Sequence, residues 1–234
     1  MPARGSTAYG DAMAFVLRNF DKTLQELDLD DLIYKHVGRR SESPTDVWLL
    51  STLDAIEENM RHSRTFEKSK IFNPSLCAFA ILEQLGTTYA DASVIAGTKT
   101  NGIRAALHNF CGIPDQSPES HHLYRFRNAI MHDASMTNVW TERGAVKGYY
   151  FFRYSDDLPV VMRPSSREWN GTFADISDDT TSLINQTKLV DLVSDAISAV
   201  SAIFFDRRGD LKVLVDKDTI LTKFLVWKPR QPKR

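Results

Sequence analysis

The sequence predicts a mainly α fold, a helical bundle interrupted by a β-hairpin before its last long helix. Three observations carry that prediction. Ser43-Pro44, Asn73-Pro74 and Ser117-Pro118 repeat one helix-start signal: a side-chain oxygen caps the free amides of the first turn, and proline fits a position whose N–H needs no partner. Apolar residues recur at spacings of three and four through most of the chain, the period of a helix with one buried face. Between Gly148 and Arg163 the period becomes alternation, rich in aromatics, as expected of paired strands.

Taken in order, Met13, Val16, Phe20, Leu24 and Leu27 make an amphipathic first helix, and Leu49, Leu53, Ile56 and Met60 line a second that starts at Ser43-Pro44. The third runs from Pro74 to about Leu85, with Gly86 as a left-handed cap. After the turn Gly97 to Gly102 a short helix covers Asn101 to Phe110, and a longer one Pro118 to about Asp133. Gly148 to Tyr154 and Pro159 to Arg163, joined through Ser155 to Leu158, form the hairpin. A helix resumes near Thr181 with Ile184, Val190, Val193, Ile197, Val200 and Phe204 as its buried stripe. Leu211 to Val215 is a last strand, and Thr219 to Trp227 a strand or a short helix.

With 234 residues and 42% apolar content the chain can bury a substantial core. One domain is expected over residues 1–227, with the hairpin insertion at about 144–175 and a basic, flexible tail at 228–234. A net charge of -1 argues against wholesale coating of nucleic acid but leaves room for a local basic cleft. Cys77 and Cys111 make neither a disulfide framework nor a four-ligand zinc site, which favours a reducing, cytoplasmic setting. The N-terminal stretch lacks the apolar core of a signal peptide, and the best apolar run, Ser75 to Leu82, is too short to span a bilayer, so no membrane partner is expected.

The richest chemistry lies in Tyr124-Arg-Phe-Arg-Asn-Ala-Ile-Met-His-Asp133. At 100° per residue, Leu123, Phe126, Ile130 and Ala134 face the core, whereas His121, Arg125, Asn128 and His132 form a polar stripe opposite. Arg127 falls on the flank near Tyr124 and Met131, where its charge needs a partner. Histidine titrates near neutrality, so His132 can take a proton from a ribose 2′-hydroxyl or give one to a leaving oxygen. Arg127 can hold non-bridging phosphate oxygens, and Asn128, one turn before His132, can orient the imidazole or touch phosphate. Such chemistry ends in a 2′,3′-cyclic phosphate and needs no metal. Arg125, His121 and Tyr124 are the candidate substrate-binding residues, with Arg61, His62 and Arg64 as possible phosphate guides. His121 and His122 have no supporting carboxylate or thiolate spacing for a metal, and no cofactor is expected. Tyr149 to Phe152 should place two aromatics on each face of the hairpin, one pair in the core and one free to stack bases or close an oligomer. His36 and His108 are expected to be structural.

Arg127-Asn-Ala-Ile-Met-His132 resembles the signature of the HEPN superfamily, an arginine followed after four to six residues by histidine. The resemblance implies a HEPN-like helical bundle that pairs as a homodimer, bringing two motif copies into one cleft as a metal-independent endoribonuclease acting on RNA. It assigns His132 as the catalytic histidine, Arg127 as the catalytic arginine and Asn128 as the polar residue beside it. A toxin or phage-defence setting, with an antitoxin or regulatory protein as a further partner, comes from the resemblance alone. The competing expectation is a non-catalytic HEPN-like interaction or nucleotide-binding module; a third is a helical protein whose motif is coincidental.

Overall fold

The computed structural model describes residues 22–38, 43–94 and 101–230. About half of the described residues are helical and about a fifth are strand, in three small sheets. Met13, Val16 and Phe20, three of the five residues assigned to the first helix, and most of the turn at 97–102 lie outside the described residues. Leu24 sits in a short 3-10 turn, and the first described helix, α1 (Leu29–Val37), starts where Asp28 caps the Asp31 amide and the Asp31 carboxylate accepts from the Asp28 N–H. This reciprocal box satisfies two donors the helix itself cannot.

Ser43-Pro44 does not start a helix. Strand β1 (Val47–Ser51) follows, and α2 (Thr52–Ser63) begins only after Ser51, whose hydroxyl accepts from the Asp54 amide. Leu49 therefore belongs to a strand. Helix α3 (Asn73–Thr88) carries proline in its first turn as expected but runs through Gly86. A Cβ on Gly86 would lie 1.8 Å from the carbonyl oxygen of Gly102, the first residue of α4 (Gly102–Phe110). Gly86 is thus a crossing point where two backbones touch, and its role is packing. Strand β2 (Tyr89–Asp91) follows α3 directly.

Helix α5 (Pro118–Asp133) matches its expected bounds, with the Ser117 side chain accepting from the Ser120 amide. The hairpin does not. Strands β3 (Thr137–Glu142) and β4 (Ala145–Tyr154) pair antiparallel around Arg143 and Gly144, at φ 51° and 82°, the left-handed pair that a two-residue hairpin turn requires. Of the expected second arm only β5 (Met162–Arg163) is strand, and it pairs with β6 (Thr181–Ile184), not with β4. Strand β6 lies parallel to β4, giving the order β3-β4-β6-β5. The segment at Thr181 is this strand, and α6 (Gln186–Asp206) starts only after Asn185, which caps the Lys188 amide. Strand β7 (Leu211–Val213) pairs with β2, and β8 (Leu225–Pro229) with β1. Between them α7 (Lys217–Thr219) continues as a π-helical stretch, Ile220–Phe224. Lys228 and Pro229, the start of the expected tail, are strand residues opposite Trp48 and Val47.

One contiguous apolar core joins these parts. Phe126 of α5 stands at the junction, its ring 5.8 Å from Phe79 of α3 and 5.2 Å from Phe152 of β4. The bundle and the sheet are thereby clamped on the buried side of the helix that presents the motif.

Candidate functional site

Helix α5 buries Leu123, Phe126, Ala129 and Ile130 and leaves Met131, His132 and Asp133 exposed at its C-terminal turn. The helix ends at Ala134, in the left-handed conformation at φ 46°, whose N–H donates to Ala129 O. The motif's three polar residues meet at this end. Arg127 Nη1 donates to Asn128 Oδ1 at 3.1 Å and to His132 Nε2 at 3.1 Å. Arginine has no lone pair to offer, so Nε2 must accept and the His132 proton resides on Nδ1. The arginine expected to need a partner thus reaches round the helix to two neutral acceptors. Its Nε is buried without a hydrogen-bond partner, and among the described residues the guanidinium makes no ion pair. The full positive charge is retained at the helix surface.

One turn earlier, Arg125 lies with Cζ 4.3 Å from the Trp140 ring centroid and 5.8 Å from those of Tyr124 and Tyr150. Cation–π attraction holds it against the hairpin. Tyr124 is half-buried and packs on the core. Tyr150 stacks on Phe152 and meets the edge of His122, while Tyr149 and Phe151 turn to the other face and pack on Trp169. Alternation therefore splits the four aromatics as expected, but the outer pair is covered by Trp169.

His121 stands apart from the motif. Its Nε2 is 3.4 Å from Arg104 Nη2, and that guanidinium donates to the Asp115 carbonyl. Burial and then the charges of Arg104 and Arg125 lower its pKa, against an opposing pull from Asp115. His122 Nδ1 is 2.8 Å from Ser182 Oγ. Burial, followed by the charges of His121 and Arg125, pushes its pKa down to about 4, so it is neutral near pH 7. Burial pushes the Cys77 thiol up, and burial with the Asp195 charge pushes Cys111 up to about 12, the direction that disfavours a thiolate.

Arg61 is paired with Glu57 at 2.9 Å, Arg64 donates to Thr187, and His62 stacks on Phe66. A groove of about 500 Å³ runs along this part of α2, lined by Asp54, Glu57, Glu58, Arg61, His62 and Thr65. Its three carboxylates make it a poor phosphate guide. Among the described residues no group of three or more metal-binding side chains comes together, and no helix is long and apolar enough to cross a membrane.

The structure thus brings together Arg127, Asn128 and His132, holds Arg125 with Tyr124 against the hairpin and the core, and leaves His121 on Arg104. Sequence reasoning missed Trp140. The available signal was its place in an alternating stretch, but only the β3–β4 register sets it opposite Gly148, a cross-strand neighbour with no side chain, and only the fold brings Arg125 onto its ring. Comparison with protein-family models, with curated proteins and with solved structures yields no match to this chain.

Proposed function

We propose that the chain is a metal-independent endoribonuclease of HEPN type, in which Arg127, Asn128 and His132 form the cutting site. The observation that carries this reading is the Arg127 guanidinium, without an ion pair among the described residues and bonded at 3.1 Å to both Asn128 Oδ1 and His132 Nε2. A phosphate docking on Arg127 competes for Nη1 and releases the Nε2 lone pair, so substrate binding itself frees the base. Nε2 then takes the 2′-hydroxyl proton, the 2′-oxygen attacks phosphorus, and the bond to the 5′-oxygen breaks. The products are a 2′,3′-cyclic phosphate and a 5′-hydroxyl. Arg127 stabilises the charge on the non-bridging oxygens, and the Asn128 amide N–H groups, not engaged by Arg127, contribute a further contact. A proton must also reach the leaving oxygen, and His132 of a second copy across a homodimer supplies it as an imidazolium, its Nε2 released from Arg127 by the same bound phosphate and protonated from solvent. Cytoplasmic RNA is the substrate class, and a toxin or phage-defence role with a regulatory partner is the setting the motif suggests.

The second reading is a non-catalytic interaction module. It is favoured by the same contact, because Arg127 closing on Nε2 is also how a helix end would be stitched shut for docking. Purified protein and its His132→Ala variant, incubated with total RNA in excess chelator, separate the two. Cyclic-phosphate ends from the parent alone support the nuclease; intact RNA with both, including with cell extract added as a source of activator, supports the module.

A further inference from the structure

The β1–β8 ribbon buries Val47, Leu49, Ser51 and Leu225 and turns Trp48, Leu50, Val226 and Lys228 outward, Trp48 opposite Lys228 and Leu50 opposite Val226. Single exposed apolar side chains are ordinary, but here Trp48, Leu50 and Val226 adjoin one another at 54%, 57% and 47% exposure. Arg230 follows the strand and is fixed beside them. Its backbone N–H donates to Asp46 O, its Nε to Val47 O at 3.1 Å and its Nη2 to Ser43 O at 3.3 Å, and Cζ sits 4.6 Å from the Trp48 ring centroid. Carbonyls orient the guanidinium without neutralising it. Among the described residues neither Arg230 nor Lys228 makes an ion pair, and Arg230 Nη1 has no hydrogen-bond partner.

Arg230 lies over the Trp48 ring, yet Trp48 as a whole remains 54% exposed. An exposed indole, a pre-oriented guanidinium and a neighbouring ammonium match alternating bases and phosphates. We propose that this outward face binds single-stranded nucleic acid, with a base stacked on Trp48 and the adjoining phosphate held by Arg230 and Lys228. Leu50 and Val226 floor the position of the next base or sugar. Stacking of this kind tolerates any base, so the site adds grip and little sequence choice. A duplex is excluded because its bases already stack on one another. An anionic bilayer fits less well, since anchoring needs apolar groups that project beyond the charges, and here the guanidinium lies flush on the ring. The site is separate from the α5 cluster and stands whether or not that cluster cleaves.

The test is fluorescence anisotropy of a labelled oligouridylate, in a protein carrying Arg125→Gln, Arg127→Ala and His132→Ala so that the α5 site neither cuts nor holds the probe. Binding should weaken with salt, and Trp48→Ala should weaken it by about tenfold or more, the range of one lost base stack. Trp48→Phe should restore most of it, and Lys228→Gln should lower the salt slope by about one phosphate contact. Trp48 and Lys228 are exposed, and unchanged melting curves confirm that the fold is kept. Absence of binding at low salt, or equal affinity with Trp48→Ala, overturns the proposal. So does capture by phosphatidylserine vesicles that oligouridylate fails to displace, which would make the face a lipid contact.

Discussion

Nη1 of Arg127 and Nε2 of His132, five residues apart on one helix, lie 3.1 Å from each other. A cation and a base in contact are mutually exclusive with a protonated imidazole at that nitrogen. The bond has Nε2 accepting, and an anion that draws the guanidinium away leaves that lone pair free.

Removing either member should abolish cutting while sparing the fold. His132 is exposed, so His132→Ala should change stability by less than about 0.5 kcal/mol while RNA cleavage drops about 100- to 10,000-fold. Arg127→Lys should behave as a null, because a single ammonium engaged by Asn128 and His132 lacks the second, coplanar nitrogen that a guanidinium still offers to phosphate. Single-turnover cleavage and thermal melts on the same samples check both halves; an active Arg127→Lys protein would remove the bridging geometry from the mechanism.

Arg125 should serve binding more than chemistry. Held on Trp140 at 4.3 Å, it takes no part in the hydrogen bonds that join Arg127 to Asn128 and His132. Arg125→Gln should raise KM by about three- to tenfold with kcat nearly unchanged, the signature of lost uniform binding. Trp140→Ala should do the same by releasing Arg125 from the hairpin. A fall in kcat alone would place Arg125 in the reaction itself.

The close approach of α3 and α4 sets a packing prediction. Gly86→Ala puts a methyl group 1.8 Å from the Gly102 carbonyl, and should cost about 3 kcal/mol by overpacking. Gly209→Ala, whose added Cβ meets nothing within 4 Å, should stay within about 0.5 kcal/mol of the parent. Urea titrations of the two variants give the comparison directly.

Acid should weaken the fold through a buried histidine. His36 has Nδ1 2.7 Å from the Tyr89 hydroxyl, Nε2 3.4 Å from Gln84 Oε1 and its ring stacked on Phe224. Burial pushes its pKa from 6.5 down to about 4, with Gln84 opposing. Between those values the unfolded chain binds a proton that the folded chain refuses. Stability is thus complete above pH 6.5 and declines as pH falls toward 4, by about 3 kcal/mol from His36. His122, also lowered to about 4, pulls in the same direction. Urea unfolding at pH 7.5 and at pH 4.5 measures the slope, which His36→Gln should flatten.

Legibility in the sequence followed the range of the interactions. Helix α5 was readable almost to the residue, because its cap at Ser117, its proline and its apolar stripe all act within four residues. Strands β1 and β6 were not, since each is fixed by a partner remote in sequence: Ser51 by Leu225 and Ile184 by Tyr154. The hairpin was shifted because Arg143 takes the left-handed conformation beside Gly144, while Pro159 to Val161, strand-like in composition, stays out of the ladder. At the site, the grouping of Arg127, Asn128 and His132 was local and so visible. The stacking of Arg125 on Trp140 depends on how the sheet docks on α5, which no spacing within the helix encodes.

The pairing of β1 with β8 also orders events in time. Thr52 Oγ1 donates to Phe224 O across 172 residues of chain, and β1 itself must wait as long for its partner strand. On a ribosome the emerging chain holds Trp48 and Leu50 on an unpaired edge while everything between is synthesised, a template for unwanted strand addition. Contacts so distant in sequence also slow the search for the native state. Expression yield should hence depend less on the stability of the finished protein than on what guards this edge until β8 arrives.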